Sequence, residues 1–358
     1  MTQHYIDFSN PRPADNSISA AEAAWQRRGR QYVVYDDGLS PAINAAILLA
    51  KPLLLMGEPG TGKTILADRV AWALGLERPF VFNTKSTSLG KDLFYSYDAL
   101  GRLYEVYNSS GSQHVSVKPN ATGGAAIGYV RLSALGSAIL KSMPLDEVPE
   151  EFREQRGAAP AQRSVVIIDE IDKANRDFPN DLLHELDRGE FSIPEAGGIR
   201  LKENDDPDLK PIVIVTSNSE KSLPEAFLRR CIFHELKFPE DPESFQRILS
   251  RIVVPQVLSR LGWPPEENGE SRFKDPFLSD CFTFFQRIRK EFPLKAPATA
   301  ELVDWIELLG RFGADPSAPL KESEQPFRRS MNALAKFADD MQQLEASWAS
   351  FKASAPAK

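Results

Sequence analysis

The chain has 358 residues, 42% of them apolar and 26% charged, with a formal net charge of −7 at neutral pH. Those figures describe a globular protein with room for one large domain and a smaller companion. They argue against a face built to hold nucleic acid or anionic lipid, which needs net positive charge, and no run reaches the roughly 18 apolar residues of a membrane-spanning helix. Cys231 and Cys281 form no disulfide framework and read as free, buried thiols of a cytoplasmic protein. MTQHYIDFSN, residues 1–10, lacks the apolar core of a signal peptide.

Residues 1–30 are polar and mixed, and read as a tail ending in a short helix. Ile43, Ala46, Ile47 and Leu49 then suggest a helix before the first strand. Five apolar strands are predicted: Pro52–Met56, Pro79–Phe82, Ser164–Ile168, Pro211–Thr216 and Ile232–Leu236. Each is a continuous apolar run, as in strands covered on both faces. Ile65, Leu66, Val70 and Leu74 recur at helical spacing after the first strand, with Gly75 to end the helix. Leu182, Leu183 and Leu186 share one helical face after the third. Strands alternating with helices imply a parallel α/β sheet with right-handed crossovers.

Two polar inserts interrupt this rhythm, a loop-like one at 107–126 and one rich in Glu, Arg and Pro at 141–163. FSIPEAGGIRLKE, residues 191–203, reads as a hairpin around its Gly-Gly pair. Phe94, Tyr95 and Tyr97 either grip a polypeptide or pack a small local core. After Leu236 only helical patterns remain. Asp241 and Pro242 cap and open a helix carrying Phe245, Ile248, Leu249, Ile252 and Val253 on one stripe. Residues 278–292 and 299–310 repeat the pattern. A last helix carries Phe327, Met331, Leu334, Phe337, Met341, Leu344 and Trp348, spaced to pack on its own domain or on a partner.

The chemistry concentrates at the strand ends. GEPGTGKT is Gly57, Glu58, Pro59, Gly60, Thr61, Gly62, Lys63 and Thr64, and it sits between a predicted strand and a predicted helix. Such a turn wraps backbone N–H groups round a phosphate, places a lysine on the β- and γ-phosphates of ATP and offers a hydroxyl to Mg²⁺. The metal also needs a carboxylate from a neighbouring strand, and Asp169 ends one. Glu170 follows and can polarise the attacking water. Asp172 either joins these acids or caps the next helix. Asn218, after IVIVTS, can hold the same water. Arg229 and Arg230 can reach a neighbouring subunit's γ-phosphate or form surface ion pairs. The four histidines are scattered and form no metal motif.

On these residues the sequence resembles the AAA+ ATPases, in their MoxR branch, over about residues 31–310. GEPGTGKT is similar to Walker A, VVIIDE to Walker B, TSN to the sensor-1 strand end and LPEAFLRRC to the arginine-finger region. The resemblance implies a P-loop NTPase sheet of five parallel strands in the order 5-1-4-3-2, flanked by helices. It divides the chain into a tail (1–30), a nucleotide-binding core (31–238) and a C-terminal all-helical lid with a terminal helix (239–358). It implies ATP and Mg²⁺ bound between subunits of a homo-oligomeric, usually hexameric ring. Thr64 and Asp169 would meet the metal, Glu170 would be catalytic base, Asn218 sensor 1, and Arg230 or Arg229 the finger. The segment 85–130 would hold an insert facing the pore, beside the 191–203 hairpin.

The family's lid arginine, sensor 2, would fall near residues 292–305, where Lys295 is the one cation near the expected place, so that sensor 2 is either Lys295, touching the nucleotide, or missing. The function implied is ATP-driven remodelling or maturation of a protein client or adaptor, such as a partner with a von Willebrand A domain. A nucleotide-gated scaffold with weak hydrolysis is the alternative; a nucleic-acid motor sits poorly with the acidic charge.

Overall fold

In the computed structural model, which describes residues 5–8, 24–109, 124–218, 222–239, 241–261, 275–292 and 296–353, a sheet of five parallel strands forms the frame. The strands are β1 (Leu53–Met56), β2 (Phe80–Asn83), β3 (Val165–Asp169), β4 (Ile212–Ser217) and β5 (Ile232–Glu235). Their order across the sheet is β2-β3-β4-β1-β5, which is the expected 5-1-4-3-2 pattern. The register sets Asn83 beside Asp169, Val165 beside Ile212, and Leu53 between Ile214 and Ile232. The ends of β1, β3 and β4 that lead into Gly57–Thr64, Asp169 and Asn218 therefore lie at one end of the sheet, while Arg229 and Arg230 precede β5 at the other.

The middle of the sheet reads as the sequence predicts. Val165, Val166, Ile167 and Ile168 are 0–1% exposed, and all six residues of β4 are buried. The outer strands differ. Val81 on β2 is 47% exposed and Phe233 on β5 is 54% exposed, because an edge strand is covered less completely than a central one.

The helices that flank the sheet follow their apolar spacing. Leu66–Leu74 buries Leu66 and Val70 and ends on left-handed Gly75. Phe178–Arg188 buries Leu182 and Leu183 and ends on left-handed Gly189. The helix Leu39–Leu48 closes with two hydrogen bonds, the Lys51 N–H donating to the Ala46 carbonyl and the Ala50 N–H to the Ile47 carbonyl. That closure needs a left-handed residue at position 50, where an exposed alanine sits at φ 47°. Left-handed backbone costs an L-residue about 1–2 kcal/mol. Ala50→Gly is expected to stabilise the protein by about 1 kcal/mol, read as a higher denaturant midpoint at unchanged slope.

The N-terminal stretch is partly docked. Phe8 is fully buried, and its carbonyl accepts the Nε and Nη2 hydrogens of Arg69, a guanidinium that is 1% exposed. Asn44 bonds both backbone groups of Ile6. The helix Ala24–Gln31 adds Arg28, whose Nε lies 2.7 Å from Asp68.

Both inserts carry more structure than their polarity suggests. Tyr95–Tyr97 and Val130–Leu132 pair antiparallel, and helices Ala99–Ser109 and Gly124–Ile127 occupy the ends of the stretch read as loop; residues 110–123 lie outside the described set. Phe94 and Tyr95 are buried, with the Phe94 ring 4.8 Å from Phe191 and the Tyr95 hydroxyl on Glu195. They pack a local core and present no gripping surface. Within 141–163, Met143, Val148 and Phe152 are buried, and buried Arg156 donates to the carbonyls of Met143 and Ala159. The Gly-Gly hairpin forms as expected, Glu190–Ile193 against Ile199–Lys202.

The chain separates into two compact units: 1–30, 36–58 and 62–236 in the first, and 31–35, 59–61 and 237–358 in the second. The second is helical. Asp241 accepts the Ser244 N–H and caps Pro242–Ile248. A π-turn, Leu249–Val253, follows, because Pro255 carries no N–H to continue the ladder. Helices Asp275–Glu291 and Thr299–Arg311 pack round Phe284, Trp305 and Phe327. The single last helix is not continuous. It runs Glu324–Ser330, turns, and restarts at Ala338–Ala353, where buried Asp340 accepts the N–H groups of Lys336 and Phe337. The stripe still meets itself, with Phe327 stacked on Trp348 at 3.8 Å. It packs inside its own unit, except Phe337, which is 50% exposed.

Both cysteines are free and buried, and burial pushes the Cys231 thiol up to about 12. No helix among the described residues is long and apolar enough to cross a membrane.

Candidate active site

The turn after β1 is shaped by its glycines. Gly57, Gly60 and Gly62 have φ values of 145°, 80° and 91°. A Cβ on Gly57 would lie 2.2 Å from the Leu236 carbonyl, so no other residue fits there. Glu58, Pro59 and Gly60 are exposed and Thr61 is buried. The regular helix begins at Leu66, two residues beyond the end of the motif.

Lys63 is 6% exposed, and its ammonium donates to the carbonyls of Gly57 and Glu58, both at 2.7 Å. Burial holds its pKa below the ordinary lysine value, against the opposing pull of Asp169, Asp172, Glu170 and Glu58. A phosphate would give this ammonium charged acceptors in place of two neutral ones, which is the stronger bond.

β3 delivers the acids. The Thr64 hydroxyl donates to the Asp169 carboxylate, 3.0 and 3.1 Å from its two oxygens. A hydroxyl and a carboxylate side by side are the hard oxygen donors that Mg²⁺ takes, so these residues fit the ion. Glu170 leaves the strand abruptly, at φ 56° and ψ 53°. Ala50 and Glu170 are the non-glycine residues with positive φ among those described. Such strain persists only where surroundings impose it, and it gathers at functional sites. The Glu170 carboxylate pairs with the Lys173 ammonium and accepts the Asn218 side-chain amide at 3.1 Å.

Thus Lys63, Thr64, Asp169, Glu170 and Asn218 come together at the ends of β1, β3 and β4. Asp172 is 2% exposed and accepts the Asn218 backbone N–H, 3.3 Å from each carboxylate oxygen. It anchors the end of β4 and does not cap the next helix, where Asn175 takes the Asp177 and Phe178 N–H groups instead. Arg229 and Arg230 follow the short helix Glu225–Leu228 and are 76% and 54% exposed at their side chains. Arg229 pairs with Glu225, and Arg230 lies 3.5 Å from Asp187. Lys295 lies outside the described residues.

Sequence reading missed three participants: Lys173, the anchoring role of Asp172, and Thr216. Thr216 is 1% exposed and bonds both Asp169 and the Glu170 backbone. In sequence it is one more β-branched residue in IVIVT.

This sheet order, with a glycine-lined turn after β1 and paired acids ending β3, defines a P-loop ATPase of the AAA type. Residues 52–231, half of the chain, match the family profile of the AAA domain (dynein-related subfamily), and the chain belongs to that family. No curated protein matches it. Solved structures similar to it include NtrX from Brucella abortus in complex with ADP, 12% identical with a TM-score of 0.44, covering 90% of this chain and 62% of that one. PCH-2 of C. elegans is 17% identical with a TM-score of 0.39, covering 86% and 70%. The chain thus spans under two thirds of the NtrX chain.

Proposed function

We propose that the chain hydrolyses ATP as a MoxR-type AAA+ ring ATPase, of six subunits, and remodels or matures a partner protein. The observation that carries the hydrolytic part is the continuous set of contacts from Thr64 to Asp169 and from Glu170 to Asn218. In this reading Lys63 binds the β- and γ-phosphates, and Thr64 and Asp169 hold Mg²⁺. When bound, that ion neutralises charge on the phosphate oxygens. Glu170 takes a proton from the attacking water, and Asn218 orients that water. Arg230, with Arg229 as second candidate, reaches the phosphate of the next subunit.

Phosphate release by the purified chain tests this. Lys63→Ala is expected to lower turnover on the order of 100-fold or more, with weakened nucleotide binding. Equal turnover in the two proteins would remove the site from the reaction.

The client-directed part is supported by the insert. Leu100, Leu103, Tyr104 and Tyr107 on helix Ala99–Ser109 are 64–79% exposed, more apolar surface than a solitary helix face needs. A Glu170→Gln protein loaded with ATP should retain a protein partner that is released in ADP. A second reading, a nucleotide-gated scaffold, draws on the engagement of Glu170 by Lys173 and Asn218, which leaves its carboxylate occupied. Turnover that is slow and indifferent to Glu170→Gln would favour it.

A further inference from the structure

Thr216 stands on β4, two residues before Asn218, with its side chain enclosed. Its hydroxyl oxygen accepts the Glu170 backbone N–H at 2.9 Å, and its proton goes to Asp169 Oδ1 at 2.5 Å. Asp169 Oδ1 also accepts the Thr64 hydroxyl at 3.0 Å. One buried hydroxyl therefore joins the carboxylate that ends β3 to the peptide group of the residue after it. That residue is the left-handed Glu170, whose conformation needs an external hold.

We propose that Thr216 is a positioning residue for ATP hydrolysis. It fixes the Asp169 carboxylate on the cation side and the Glu170 turn on the water side, so that the two acids keep one relation. The inference rests on the ATPase reading above. Packing alone does not call for a hydroxyl here, since the residues that share its face of β4, Ile212 and Ile214, are buried and apolar. With Thr216→Val, the same volume would leave the Glu170 N–H and one Asp169 lone pair without this partner, and the turn would lose its anchor.

The test uses the full chain as wild type, Glu170→Gln, Thr216→Val and Thr216→Ser. Steady-state phosphate release gives kcat and KM, and a fluorescent ATP analogue gives Kd directly. Thr216→Val should lower kcat about tenfold or more, while KM and the analogue Kd stay within about threefold. Thr216→Ser, which keeps the hydroxyl, should hold kcat within about threefold of wild type. Wild-type kcat in Thr216→Val overturns the proposal, and so does a variant that loses Kd as much as kcat. If Thr216→Val does not fold, Thr216→Ser decides: near-native kcat supports the role, and a folded protein with about a tenfold loss overturns it. A wild type without Glu170→Gln-sensitive turnover overturns the ATPase reading and this inference together, and the wild-type control tells that outcome from failure of Thr216 alone.

Discussion

Glu170→Gln is expected to lower ATP turnover by about 10²–10⁴-fold while leaving nucleotide affinity within a few fold. The amide has nearly the same shape and can still meet the Asn218 side chain, so the turn should survive. What it loses is the anionic, basic carboxylate that would take a proton from water. It also loses the ion pair with Lys173, which is half-exposed and contributes little to stability. The variant should therefore melt close to wild type and bind ATP without consuming it. Single-turnover phosphate release beside a binding titration separates these quantities. Parallel loss of binding and turnover would mean that Glu170 supports the fold and not the chemistry.

Arg230→Ala carries the second large effect. A guanidinium supplied from a neighbouring subunit is worth about 10³–10⁵ in rate. Among the described residues Arg230 meets Asp187 in an exposed contact at 3.5 Å, a pair worth at most about 1 kcal/mol, so it can be drawn to another partner. The variant should fold and bind ATP but hydrolyse it at a small fraction of the wild-type rate. Because the arginine would act across an interface, mixing Arg230→Ala with Lys63→Ala should restore part of the activity that neither has alone. Full turnover by Arg230→Ala at every protein concentration would contradict a shared site. Arg229, tied to Glu225 four residues earlier, should matter less.

How far the sequence discloses this depends on where the physics is local. β3 is legible because four consecutive apolar residues run into Asp169, and GEPGTGKT because its glycines must take left-handed turns and close approaches. The edge strands are misread because their composition resembles that of the central strands, while exposure depends on which neighbours tertiary structure supplies. Polarity misleads in the inserts: Arg156 is charged yet buried, satisfied by backbone carbonyls that no periodicity announces. The broken last helix has the same cause. Its apolar spacing is helical throughout, and the restart depends on Asp340 folding back onto Lys336 and Phe337. Thr216 was hidden because a threonine in a strand is ordinary until Asp169 and Glu170 are found beside it.

Equilibrium titration of ATP into the full chain, in Mg²⁺ and in chelator, bears most directly on the nucleotide site. The account predicts saturable binding to wild type that weakens at least about tenfold without Mg²⁺ and at least as much in Lys63→Ala. Binding that is absent, or identical in wild type and Lys63→Ala with or without the ion, would contradict it.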